Sequence, residues 1–253
     1  MTIAAEIARL AAVESLCPTA ALLAETALPT LARHRVFDSR RPAIDELDAG
    51  EEYTPVLSLF TRKSEFPRRG QGQGSVARNG RTMLEVVAEL CVSAHDEDGS
   101  PYTDAMVGSD PKARIVLSAL CAQVRFVLTQ GPTGTLFRQI VMAIESIDEE
   151  GFAVPELGLR WQRTTMLFDC QIPDDDFSGG AGLPQPAARI AALLPDNSYA
   201  KATLANMAAQ FVAAAPLPII DTIAFEVKQA GVSGEMGPAA AIAQPFPEIE
   251  EET

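Results

Sequence analysis

The first sixteen residues set Ile3, Ile7, Leu10, Ala11 and Val13 close to helical spacing, and Cys17-Pro18 stops the run because a proline pushes its predecessor out of helical geometry. An N-terminal helix over 3–16 is expected. A second short amphipathic turn, ALLAETALPTLA, leads to Val36 and Phe37, which read as the end of an extended segment before Arg41-Pro42. YTPVLSLFT, residues 53–61, is rich in β-branched and aromatic residues, with Val56, Ser58 and Phe60 on one side and Leu57 and Leu59 on the other. The alternation in 81–95 is stricter: Leu84, Val86, Ala88, Leu90 and Val92 share one face, and Glu85, Val87, Glu89 and Cys91 share the second. One apolar and one mixed face predict a sheet covered by helices on one side and partly wet or subunit-packed on the other.

Asp110 is placed to cap a helix with Pro111 at its first position, and Ile115, Leu117, Leu120, Cys121, Val124 and Leu128 give that helix a broad apolar stripe. Gly131-Pro132 ends it. FRQIVMAIESIDEEG and LGLRWQRTTMLFDCQI then read as two extended segments around an acidic turn, although Ile140, Ala143, Ile144 and Ile147 also fit a helical period. In the second segment Arg160, Gln162, Thr164, Met166 and Phe168 alternate with Leu159, Trp161, Arg163, Thr165 and Leu167. IPDDDFSGGAGLP breaks the pattern and sets an expected boundary after residue 178. Beyond it lies an Ala-rich extension, 179–243, with helical spacing of Leu204, Met207, Ala208, Phe211 and Val212, and a further strand is expected over Ile219 to Lys228. The acidic tail 244–253 is expected to be disordered. The fold class that results is α/β in the broad sense, α+β in detail: a mixed, mostly antiparallel sheet covered on one face by helices, with a long hairpin arm and a helical C-terminal extension.

Charge sharpens one part of this picture. The 253-residue chain has a formal net charge of -14, yet Arg62, Lys63, Arg68, Arg69, Arg78 and Arg81 fall within twenty residues that hold a single acid, Glu65. Gly70, Gly72, Gly74 and Gly80 argue against a helix or strand there. The stretch 62–81 is therefore expected to be a flexible basic arm between two strands; the alternative is a solvated loop with no partner. An acidic protein is a poor ligand for nucleic acid, so any DNA contact has to be local. No run approaches the roughly 18 apolar residues of a membrane span, and Glu6, Arg9 and Glu14 interrupt what a signal peptide would need, so neither insertion nor secretion is expected.

Candidate chemistry is sparse. Cys17, Cys91, Cys121 and Cys170 are isolated, without metal-ligand spacing to one another or to His34 and His95, and read as buried thiols in a reducing compartment. Asp174, Asp175 and Asp176 point in different directions along a backbone and read as a solvated turn rather than a cation site. HDEDGSPYTD lacks the glycine and distal glutamate of a calcium loop and reads as a turn; GQGQGS lacks the Lys-Ser/Thr of a phosphate-binding loop. Glu85 and Glu89, four residues apart on a strand, stand about 13 Å from each other, too far to share a reaction centre. No catalytic residue, cofactor or metal is expected, and an enzyme or ligand-binding domain would require a buried titratable cluster that the sequence does not display.

The order of elements, VFDSRRPAIDEL, TPVLSLFTRKSE, a long arm, RTMLEVVAELCVSA, a covering helix with ALCAQV, then IESIDEEG and RWQRTTMLFDCQIPDDDF, resembles the tail-terminator proteins of long-tailed bacteriophages over residues 1–178. The resemblance implies a small α/β domain assembled as a six-fold homo-oligomeric ring on the last ring of the tail tube, made in the host cytoplasm and resident in the virion at the tail-neck junction. It implies the tail-tube protein and a head-side connector or stopper as partners, incidental contact at most with DNA in the channel, and no membrane. On this reading the six basic residues form an arm reaching a neighbouring ring, and Glu85, Glu89, Arg160, Gln162 and Arg163 are candidate subunit contacts. Another neck component, such as a connector or stopper subunit, is the alternative.

Overall fold

The computed structural model describes residues 2–42, 54–66, 79–95, 101–104, 111–154, 161–177 and 182–211. The chain divides into Met1–Ala214 and Ala215–Thr253, and the second unit lies outside the described residues, as do the expected strand at 219–228, the acidic tail and the cap at Asp110.

The sheet has the order β1-β2-β3-β6-β5, from β1 (Val36–Asp38), β2 (Thr54–Glu65), β3 (Asn79–His95), β5 (Ala143–Val154) and β6 (Trp161–Pro173). Only the β1–β2 pair is parallel; the rest are antiparallel. β4 (Pro101–Asp104) pairs with Val92–His95 of β3, so the second half of HDEDGSPYTD is a strand, not the expected turn. The described ends of the expected flexible arm are also ladder: Lys63, Ser64 and Glu65 face Met83, Thr82 and Arg81. Two registers slip by one residue, leaving Arg62 as an extra residue in β2 and Glu145 as one in β5. Such bulges kink an edge strand and re-aim a side chain.

α1 (Ile3–Leu16), α2 (Thr19–Leu23), α3 (Pro111–Thr129), α4 (Thr135–Ile140), α5 (Ala187–Leu193) and α6 (Tyr199–Ala208) complete the described elements. Leu57, Leu59, Leu84, Val86, Ala88, Leu90, Met166, Phe168, Cys170 and Ile172 form the helix-facing side of the sheet, packed with Ile7, Leu120, Val124, Phe137 and Ile140. Full burial of such a side chain stabilises by about 1.5–3 kcal/mol. The stripe of α3 is as expected except at Ile115, which is 69% exposed; Ala113 and Val127 are buried instead. The sequence FRQIVMAIESIDEEG divides: its first part ends α4, and β5 starts only at Ala143.

The helix ends are tied to distant parts of the chain. Arg138 of α4 donates to the carbonyls of Val127, at 3.2 Å, and Gly131, at 2.8 Å, closing the C-terminus of α3. Gly134 lies so close to α3 that a Cβ there would fall 1.9 Å from the Val127 carbonyl oxygen. Asp175 is not a solvated turn residue: its two carboxylate oxygens accept from the backbone N–H groups of Ile3 and Ala4 at 2.9 and 2.8 Å, capping α1. The expected boundary after 178 is not a break in packing. Asp176 bridges to Gln185, and Ala187, Ile190, Leu194, Ala200 and Leu204 belong to the same buried cluster as α1 and the sheet. Small Ala-rich helices pack closely on α1 because little side-chain volume separates them.

Among the described residues no single helix is long and apolar enough to cross a membrane; the bent pair Ala113–Thr129 and Pro132–Ile140 passes only when joined, and its Leu120, Val124, Phe137 and Ile140 are wholly buried.

Candidate assembly surface: the open sheet face and its two edges

With the helices on one face, the other face of the sheet carries Phe60, Met83, Glu85, Val87 and Leu167, all half-buried, while toward the start of β2 the same face is covered, with Val56, Ser58 and Cys91 buried beside Phe37. Cross-strand register puts Phe60 beside Glu85 and Glu85 beside Leu167, so this predicted subunit-contact glutamate stands between two apolar neighbours. Glu89 is different. It is only 4% exposed, next to Val56 on β2 and Arg163 on β6, and therefore lies within the subunit rather than on a surface offered to another. Burial pushes its carboxyl above the usual glutamate range, while Arg41 and then Arg163 pull it back. Arg163 is half-buried and cross-strand to Phe152. Gln162 sits in β6 opposite Ala153, and Arg160 lies outside the described residues.

The six basic residues of the predicted arm separate into three groups. Arg68, Arg69 and Arg78 lie outside the described residues. Lys63 pairs with Glu65 two positions along β2, and Arg81 pairs with Glu145 of β5, so these two cations already face carboxylates of their own chain. Arg62, the bulged residue, is exposed at the edge of β2. Ion pairs this exposed contribute little to stability and are readily exchanged for others.

The base of the hairpin is built by a residue pair that sequence patterning does not reveal. Phe66 lies over Gly80, where a Cβ would fall 2.2 Å from the ring, so an aromatic covers a strand glycine across the hairpin. Beside it a cleft of about 610 Å³ is lined by Glu65, Phe66, Asn79, Arg81, Glu145 and Gln171.

A second cleft, of about 500 Å³, includes Glu14, Cys17, His34, Asp38 and Tyr199. It brings a thiol, an imidazole and a carboxylate near one another, so its chemistry has to be weighed. Burial, with Glu14 adding to it, pushes the Cys17 thiol up to about 11, the opposite of the shift a nucleophilic cysteine requires. Asp38 is engaged elsewhere, accepting from Arg9 Nε at 2.5 Å and from the Tyr199 hydroxyl at 3.2 Å. Arg9 also pairs with Glu6 and donates to Thr61 at 3.0 Å, which joins α1, β1 and β2 in one polar network. The arrangement is structural glue. All four cysteines are buried free thiols, with Cys121 raised by burial to about 11 and Cys91 and Cys170 to about 12. Among the described residues no group of three or more His, Cys, Asp or Glu side chains is placed to hold a metal ion.

The two edges of the sheet differ in sign. The outer edge of β2 beyond its three-residue pairing with β1 carries Arg62 and Lys63 followed by Glu65, and β5 at the opposite edge carries Glu145, Asp148, Glu149 and Glu150, all exposed, with Glu149 paired to Arg125 of α3 at 3.1 Å. No protein-family model matches the chain, and no curated protein matches its sequence.

Proposed function

We propose that this chain is a non-enzymatic structural subunit of a phage tail, a tail terminator that forms a ring on the end of the tail tube, stops tube growth and joins the tail to the head-side connector. The observation that supports the reading is the unevenly covered sheet: helices cover one face, while the part of the other face around Phe60, Met83, Glu85, Val87 and Leu167 is half-buried and the two edges carry opposite charges. A closed ring is built from two unlike surfaces on each subunit, because a heterologous contact repeats around an axis until it closes. The β2–β3 hairpin, whose register runs out to Glu65 and Arg81, supplies a rigid stem for the basic residues beyond it.

The test is the mass of the purified chain in solution, alone and after mixing with tail-tube protein. A ring, or a monomer that becomes a ring on the tube and halts its elongation, supports the terminator. A monomer indifferent to tubes overturns it. Binding to a portal-side complex without any tube transfers the chain to the connector or stopper class instead.

A further inference from the structure

We infer that neighbouring copies of this chain meet edge to edge, the basic outer edge of β2 on one copy against the acidic outer edge of β5 on the next. The inference rests on the proposed function only in requiring side-by-side association of subunits; it holds for any ring of this chain, on a tail or elsewhere.

Register fixes which parts of the two edges stand at the same height. Following the ladder across the sheet, Lys63 faces Met83, Met83 faces Asp169, and Asp169 faces Ser146. One step along, Thr61 connects through Leu84 and Phe168 to Ile147, and Phe60 through Glu85 and Leu167 to Asp148. The segment of β2 whose outer side pairs with no described strand past β1 is therefore level with Glu145–Asp148 of β5. At that level each edge carries a one-residue bulge, and the extra residue is a charge: Arg62 on one side, Glu145 on the other. Cyclic symmetry rotates a subunit without raising it, so with the axis along the strands, surfaces at equal height meet.

Strand direction agrees. β2 and β6 run one way and β3 and β5 the other, so a neighbour's β5 arrives antiparallel to β2, as in every adjacent pair of the main sheet but β1–β2. Lys63 and Asp148 both project from the open face, since each shares a register row with Met83 or Glu85 there. Charge complementarity selects a second copy as the occupant: four acids lie within Ala143–Glu150 without a base, Glu145 and Glu149 of them in exposed, exchangeable pairs with Arg81 and Arg125, and the facing stretch of the other edge brings two adjacent cations ahead of Glu65, the partner of Lys63. Neither edge matches itself, because like charges would be brought together, so the contact is heterologous rather than a two-fold pairing. The competing occupant is solvent, with charges that serve only to keep edges apart.

The experiment uses the full chain in two charge-reversed forms, Arg62→Glu with Lys63→Glu, and Glu145→Lys with Asp148→Lys, each checked for an unchanged thermal transition. Association is read by analytical ultracentrifugation at low salt. Each variant alone is expected to associate about tenfold more weakly than wild type or worse, and an equimolar mixture is expected to recover assembly in alternating order, since every contact then joins opposite charges again. Wild-type association with both variants equally competent overturns the edge contact and leaves the ring reading standing. Loss in both variants without recovery on mixing also overturns it. Recovery on mixing in a chain that ignores tail tubes supports the edge contact while removing the terminator reading.

Discussion

At the scale of single residues, Glu89 is the group whose surroundings most constrain its chemistry. It is nearly sealed inside the subunit, and burial outweighs the help of Arg41 and Arg163, so its carboxyl titrates above the usual glutamate value. The folded chain therefore binds this proton more readily than the unfolded chain does. The stabilisation from protonation is complete below the unfolded value and is lost as pH rises through the folded one. Glu89→Gln keeps the shape and removes the charge, so it should raise the melting temperature at pH 7, with the advantage shrinking as pH falls toward 4. A thermal-shift series across that range checks it; a variant destabilised at pH 7 would mean that the two arginines, not burial, dominate at this position.

Among the elements, the connection between the end of β6 and the start of α1 carries the clearest consequence. Asp175 satisfies two of the orphan N–H groups of the N-terminal helix from 171 residues away in sequence, and Thr2 adds an acceptor for Ala5 at 3.4 Å. Asp175→Ala should cost about 1–2 kcal/mol in denaturant unfolding, and Asp175→Asn appreciably less because its amide oxygen still accepts. The raised titration of Asp175, set by burial against the pull of these two N–H bonds and with Asp174 pushing the same way as burial, is consistent with a neutral acceptor serving nearly as well. This cap also marks where sequence patterning stops being informative. The strand over 81–95 was legible because strict alternation with large apolar residues has no helical counterpart, and the N-terminal helix because proline punctuates it. A cap made by a residue at the far end of the chain leaves no local pattern, and neither do the bulges at Arg62 and Glu145, which exist only as a mismatch between two strands. The opposite charge of the edges was half visible: the basic cluster stood out by composition, but its acidic counterpart could be recognised only once strand order put β5 at the other edge. The exposed Ile115 shows a different limit: it stands two residues before Leu117, about 200° around the helix, and so falls off the stripe that Ala113, Leu117 and Leu120 define.

For the whole molecule, the decisive question is where the folding unit stops. The change in composition after Asp176 suggested a boundary at 178, because Gly, Pro and acids cluster there while the following residues are mostly alanine. Packing places it later: α5, the residue that follows it and α6 contribute Ile190, Leu194 and Leu204 to the core, Arg189 donates to the Gln139 carbonyl at 2.8 Å at the end of α4, and the first unit extends to Ala214. A chain ended after Phe177 would expose the side of α1 and α4 that these helices cover. Three large aliphatic side chains at about 1.5–3 kcal/mol each amount to a large part of the ~5–15 kcal/mol that holds a typical domain together. Residues 1–177 should therefore be recovered without a cooperative unfolding transition, or with one shifted to much lower denaturant. Residues 1–214 retain every core residue described and should unfold at nearly the wild-type midpoint. Paired urea titrations of the two truncations decide between the boundaries: equal midpoints would make 183–211 an accessory layer, whereas loss of the transition in the shorter chain alone makes those helices part of the domain that presents the sheet edges.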